Sequence, residues 1–144
     1  MVILDTDTLS ILQRGEGSDF LRVDARLKVC LEDVFVTIVS FEEQMRGWLA
    51  AANAARDPES YAIQLGRLNL LRIDYQLRAV LLFDSKAVEQ FKQLRAAKVR
   101  IDTMDLRIAS VALANAATLV TRNRRDYSKV PGLTLEDWTV APKA

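Results

Sequence analysis

Asp5, Glu43, Asp105 and Asp126 each stand where an apolar run gives way to a polar or helical start, in a chain that contains no histidine. If those runs are parallel strands, their C-terminal ends share one edge of a sheet. Carboxylates gathered there repel one another strongly unless a cation lies between them. A bound divalent metal is the expected resolution. Mg²⁺ or Mn²⁺ takes oxygen ligands from a few carboxylates, keeps several waters, acidifies one of them into a nucleophile and neutralises charge on a phosphodiester.

The missing residue types narrow the chemistry further. Without histidine there is no Ser-His-Asp or Cys-His apparatus and no imidazole base for metal-free RNA cleavage, and a lone Cys30 supplies neither an ordinary zinc site nor an internal disulfide. The five glycines match neither the phosphate-binding loop nor the dinucleotide fingerprint: Gly15-Glu16-Gly17 lacks the third glycine and follows a helical pattern instead of a strand. A formal charge of +1 neither supports nor excludes a nucleic-acid substrate. There is no leader-like start and no window of about 20 uninterrupted apolar residues, so the expected setting is reducing and cytoplasmic, without a membrane.

Each acid also has an ordinary structural reading. Ser40-x-x-Glu43 and Asp102-x-x-Asp105 both fit helix capping boxes, Asp5 fits an N-cap, and Asp126 fits a surface acid answering Arg122, Arg124 or Arg125. Joint placement separates the two readings. Three of the four follow strand-like runs, and Asp105 opens a helix able to present it to the same crevice.

The elements that must position these side chains follow from the apolar pattern. Met1 to Leu4 is a short β-prone run that passes straight into a helix at Asp5 to Thr8, and Gly15 breaks that helix before Ser18 opens a second one. Val34 to Val39 is dense in β-branched and aromatic residues without polar alternation, which predicts a strand buried on both faces and ending at Ser40. Helices are predicted from Ser40 to about Ala55 and from Glu59 to about Ile73, with a break at Asp57-Pro58. A strand at Val80 to Phe83, helices at Asp84 to Ala97 and Thr103 to Ala117, a strand at Thr118 to Thr121, a polar stub at Arg122 to Lys129 and an edge strand at Leu133 to Leu135 complete the series. This alternation predicts one three-layer α/β/α domain over residues 1–144, with a mostly parallel central sheet.

Taken in order, Leu4-Asp5-Thr6-Asp7, Ser40 to Gly47, Asp105 to Ser110, Thr121 to Tyr127, and Pro131-Gly132-Leu133 with Trp138 resemble the successive motifs of PIN-domain endoribonucleases, and among these the VapC toxins of type II toxin–antitoxin systems. The resemblance runs along nearly the whole chain. It implies a PIN-like fold and a Mg²⁺- or Mn²⁺-dependent ribonuclease that cuts RNA through a metal-activated water. In that frame Asp5 and Asp105 are metal ligands, Glu43 completes the acidic cluster, and Asp126 lies near a second metal or the attacking water. Thr6, Thr121 and Asn123 orient the cluster. The resemblance also implies a homodimer and a cognate antitoxin of the VapB kind.

The chain departs from that pattern at Asp7, where many relatives carry asparagine, so that Asp7 becomes a candidate for the metal shell or for a helix cap. Counting back from Gly47 selects Glu43 over Glu42 as the family acid, and Asn123 occupies a position where some relatives carry the fourth acid. Arg122, Arg124 and Arg125, with Lys129, form the densest basic group and are the candidate RNA contacts; Arg95, Lys98 and Arg100 form a second. Trp48 and Trp138 read as packing or dimer residues.

Two other classes are compatible with parts of the sequence. Met1 to Leu9 also fits the Asp-x-Asp-x-Thr motif of haloacid-dehalogenase-type phosphohydrolases, with Asp5 as the phosphate-accepting nucleophile and Asp7 as acid and base. That reading leaves Glu43 and the Thr121 to Tyr127 stretch without a role. The other class is a catalytically silent α/β module that binds a partner protein.

Overall fold

The computed structural model describes residues 1–142. The chain begins with β1 (Val2–Leu4), α1 (Thr6–Arg14), α2 (Gly17–Val29), β2 (Val34–Thr37), α3 (Ile38–Ala54) and α4 (Pro58–Gln76). It continues with β3 (Val80–Leu81), α5 (Ser85–Ala96), α6 (Thr103–Ala114), β4 (Thr118–Val120), α7 (Arg124–Tyr127) and β5 (Thr134–Glu136). Strand order in the single five-stranded sheet is β3-β2-β1-β4-β5. Every neighbouring pair is parallel, with Val2 opposite Val34 and Thr118, Val36 opposite Val80, and Thr118 opposite Thr134.

Alternation along the strands splits the core into two layers. Ile3 and Leu119 point into a cluster with Leu106, Ala109, Leu94 and Tyr127, while Val2, Leu4, Val36 and Val120 point into the opposite one with Leu9, Ile11, Val23, Leu71 and Tyr75. Both faces of the central strands are therefore dry, which is why these runs carry no polar alternation. The helices covering them form the outer layers, and the three-layer expectation holds.

Most helices start where a side chain accepts from an early backbone N–H. Asp5 caps α1 through Thr8 N–H (2.8 Å), Asp57 caps α4 through Ser60 N–H (2.7 Å), Asp84 caps α5 through Ala87 N–H (3.0 Å) and Asp102 caps α6 through Met104 N–H (2.9 Å). Pro58 sits in the first turn of α4, where its missing N–H costs nothing. Gly15 closes α1 at φ 70°, and its N–H returns to Ile11 C=O.

The largest departure from expectation is the start of α3. Thr37 is its N-cap, accepting from Ser40 N–H at 3.1 Å, so the strand stops two residues before Val39 and Ser40 lies inside the first turn. The Ser40-x-x-Glu43 capping box does not form, and Glu43 stands one turn deeper in the helix than that box requires. β3 is shorter than Val80 to Phe83, α6 ends at Ala114, β4 ends at Val120, and the edge strand is shifted by one residue to Thr134–Glu136.

Candidate active site

The strand order reverses at β1: β2 and β3 lie to one side of it, β4 and β5 to the other. Loops leaving the C-terminal ends of β1 and β4 therefore diverge and open a crevice, the place where parallel α/β sheets bind ligands. Asp5 follows β1 and Thr121 follows β4. Asp5 N–H donates to Val120 C=O at 3.1 Å, which fixes the two ends side by side.

Asp5 is 4% exposed, and both of its carboxylate oxygens are used. Oδ1 accepts from Thr8 N–H, and Oδ2 accepts from the hydroxyl of Thr121, itself fully buried. Thr121 Oγ1 accepts in turn from Asn123 N–H at 2.9 Å, which commits the hydroxyl proton to Asp5. Burial pushes the Asp5 carboxyl above its ordinary range, the Thr121 and Thr8 bonds pull it back, and the Asp7 charge adds to the rise.

Asp105 lies in the first turn of α6 and does not complete the predicted capping box: its Oδ1 accepts from the Tyr127 hydroxyl at 3.1 Å. Asp105 is pushed up to about 6, first by burial and then by the charges of Asp102, Glu43 and Asp5 against the opposing Tyr127 bond. Glu43 and Asp5 thus lie near enough for their charges to act on Asp105. The Tyr127 phenol, 1% exposed, is pushed far up by burial and by the same three acids, so it stays protonated and serves as a donor. Glu42, in contrast, pairs with Arg46 at 3.1 Å, which leaves Glu43 as the α3 acid of the cluster.

Asp126 makes contacts of its own. Its Oδ2 accepts from Asn123 Nδ2 at 3.1 Å, and its Oδ1 lies 3.7 Å from Lys129 Nζ, so its basic partner is Lys129 and none of the three arginines expected to answer it. Thr6 does not touch the acids; its hydroxyl donates to Ser40 Oγ at 2.9 Å and ties the start of α1 to the start of α3. Asp7 is not the cap of α1, and its charge acts on Asp5. Its two oxygens accept from Arg122 Nε (2.7 Å) and Nη2 (2.9 Å), and Arg122 Nη1 reaches Asp19 at 2.8 Å. Arg122 is thereby spent within the protein, while Arg124 and Arg125 are exposed and enter no ion pair among the described residues. Trp138 is a packing residue, 3% exposed, with its indole N–H on Glu136 at 2.7 Å and Arg26 over its ring.

Among the described residues no three acidic side chains stand close enough together, as they are placed, to grip one ion. The donor set itself fits a small hard cation: oxygen ligands only, one of them buried, with like charges that a cation would relieve. Tyr127, Thr8 and Thr37 were not among the residues singled out from the sequence. Tyr127 left one trace there, as the only aromatic in an otherwise polar stub between Thr121 and Lys129.

An all-parallel α/β domain with a buried aspartate at its switch point is the class that fold and site define. The chain belongs to the PIN domain family, whose model matches residues 2–133. It is 50% identical to Ribonuclease VapC2 of Rickettsia felis over 38 residues, 26% of this chain and 28% of that relative. The fold is similar to that of VapBC-1 from nontypeable Haemophilus influenzae, with a TM-score of 0.70 and 22% identity over 97% of this chain and 100% of that one. It is likewise similar to a toxin-antitoxin complex from Klebsiella pneumoniae, with a TM-score of 0.66 and 18% identity over 93% and 96%. The phosphohydrolase reading is overturned: the family is PIN, and the Asp7 required as its acid and base is committed to Arg122.

Proposed function

We propose that this protein is a divalent-metal-dependent endoribonuclease and the toxin member of a toxin–antitoxin pair. The observation that supports the reading is the placement of Asp5 beside the β1/β4 switch point, held by Thr121, and of Asp105, held by Tyr127, with Asp105 raised to about 6 first by burial and then by the charges of Asp102, Glu43 and Asp5. Membership of the PIN family, the ribonuclease name of the Rickettsia relative and the toxin-antitoxin complex among the similar folds support it.

Asp5, Asp105 and Glu43 would hold Mg²⁺ or Mn²⁺, with Asp126 at the margin. The bound ion supplies an acidified water and neutralises charge on the phosphodiester. The chain's own residues do the remaining work. Thr121 and Thr8 fix the Asp5 carboxylate, Asn123 orients Thr121, and Tyr127 aims Asp105. Thr6 and Ser40 join the α1 and α3 ends so that Glu43 faces the same crevice. An antitoxin of the VapB kind, a homodimer and a cytoplasmic setting complete the proposal; no helix among the described residues is long and apolar enough to cross a membrane.

The test is cleavage of an RNA pool by the purified chain with Mg²⁺ or Mn²⁺, with chelator and with Asp105→Asn. Metal-dependent internal cuts that vanish in the variant are expected. Cutting that survives both chelation and Asp105→Asn would refute the assignment.

A further inference from the structure

The basic residues expected to meet RNA are only partly available, because Arg122 is bound on both sides by Asp7 and Asp19. A second basic surface takes its place. The turn between α5 and α6 forms an open groove of about 680 Å³ lined by Arg95, Arg100, Asp102, Thr103, Leu106 and Asp126. That volume lies within the ~300–1,000 Å³ typical of ligand-binding clefts.

We propose that this groove seats the single-stranded RNA backbone beside the acidic cluster, with Arg95 and Arg100 as its phosphate contacts; the inference rests on the ribonuclease reading above. The groove borders the cluster along the chain. Asp102, Thr103 and Leu106 bracket Asp105 on α6, and Asp126 precedes the Tyr127 that holds Asp105.

The groove's two arginines are the groups in it that an anion would contact. Among the described residues, Arg95 and Arg100 enter no ion pair. The two acids are already engaged: Asp102 caps α6 through Met104 N–H, and Asp126 has Asn123 and Lys129. Arg95 is further organised by Phe91, with its guanidinium carbon 5.6 Å from the ring centroid. A guanidinium laid against a ring keeps its N–H edge free for the planar, two-point contact that phosphate oxygens accept.

The turn sets the spacing of the two arginines. Lys98 N–H returns to Arg95 C=O (3.0 Å) and Val99 N–H to Leu94 C=O (3.1 Å), with Lys98 at φ 57°. This paired closure of α5 reverses the chain immediately after Arg95 and brings Arg100 to the same groove.

The experiment measures binding of a fluorescent single-stranded RNA oligonucleotide in chelator, which withholds the ion that cleavage requires, across a salt series. The proteins are the full chain, Arg95→Ala/Arg100→Ala, and Lys28→Ala, whose charge lies on α2 just before β2, at the opposite edge of the sheet. Each phosphate contact to a single strand contributes about 0.7 to the slope of log K against log salt. The double variant is expected to lose about 1.4 from that slope and to bind more weakly, with an unchanged melting temperature, while Lys28→Ala keeps the parent slope. An unchanged slope in the double variant, or no binding by the parent chain, overturns the groove assignment. Polyglutamate of matched charge that displaces the RNA and is itself lost in the double variant reassigns the groove to an acidic protein segment. Cleavage by the parent and Asp105→Asn is read separately, so a failed groove and a failed nuclease give different patterns.

Discussion

The Thr121 hydroxyl donates to Oδ2 of Asp5 across 116 residues of sequence and joins β4 to β1 where the strand order reverses. The partner groups are buried, so losing the donor leaves a carboxylate short of a hydrogen bond in a dry site. Thr121→Val keeps the branched shape and removes only the O–H. A hydrogen bond to a charged group contributes roughly 1.5–3 kcal/mol, and urea denaturation at neutral pH is expected to lose about that much. Thr121→Ser, which restores the donor, should recover most of it. A valine variant as stable as the parent would show that the contact does not hold Asp5.

Asp105 gives the apoprotein an inverted acid dependence. Its folded value of about 6 exceeds the unfolded 3.8, so the native state binds that proton more tightly than the unfolded chain does. Stability from this group is full below about pH 4, is lost as pH rises to about 6, and is level above that. Asp5, raised by burial, acts in the same direction. Asp57 and Asp74 are lowered by their hydrogen bonds and add stability as pH rises, but mainly at and below the unfolded carboxylate range. Melting temperatures in chelator from pH 4 to 7.5 should therefore fall less in Asp105→Asn than in the parent. Parallel curves would remove Asp105 as the cause.

A divalent cation should reverse that loss. An ion that binds only the folded chain stabilises it by about 2.7 kcal/mol at a hundred times its dissociation constant. Adding Mg²⁺ or Mn²⁺ at pH 7.5 is expected to raise the melting temperature of the parent by several degrees and to flatten its pH profile, with little effect on Asp5→Asn or Asp105→Asn. Equal shifts in all three proteins would place the ion elsewhere.

Much of this was legible because one pattern dominates the chain. Apolar runs without polar alternation identify strands covered on both faces, so the strand ends and the Asp5 that follows β1 could be placed at the sheet edge. The remainder depends on tertiary partners. Thr37 takes the cap of α3 because its hydroxyl already faces Ser40 N–H at the strand end, a choice local propensity does not make between two good caps. Arg122 reads as a free cation until folding brings Asp7 and Asp19 to it. The Tyr127 contact spans 22 residues and has no local signature beyond one aromatic among polar neighbours.

The end of α6 carries a correctable strain. Ala116 adopts φ 49°, with its N–H on Leu113 C=O (3.1 Å) and Ala117 N–H on Ala112 C=O (2.9 Å), a closure in which this position normally holds glycine. The left-handed conformation costs a residue with a Cβ roughly 1–2 kcal/mol, and glycine's greater freedom in the unfolded chain returns about 0.4–1 of that. Ala116→Gly is expected to gain between about 0 and about 1.6 kcal/mol in urea denaturation without changing cleavage. A loss of stability would mean that the conformation is not strained.

Tyr127 links folding to chemistry, and Tyr127→Phe separates the two. The ring stays in the core, so the stability cost at neutral pH should be that of one hydrogen bond to a carboxylate, roughly 1.5–3 kcal/mol. The O–H that aims Asp105 is gone, and with it the one contact that lowers this carboxyl against burial and its acidic neighbours. Asp105 should then hold its proton to a higher pH than about 6. In the proposed nuclease an Asp105 that keeps its proton is a poorer ligand, so the acid limb of the cleavage profile should move to higher pH, and the variant should recover activity as the pH is raised. A purely structural role for Tyr127 predicts a uniform loss at every pH. A Tyr127→Phe profile parallel to that of the parent would therefore exclude the hydroxyl from positioning Asp105.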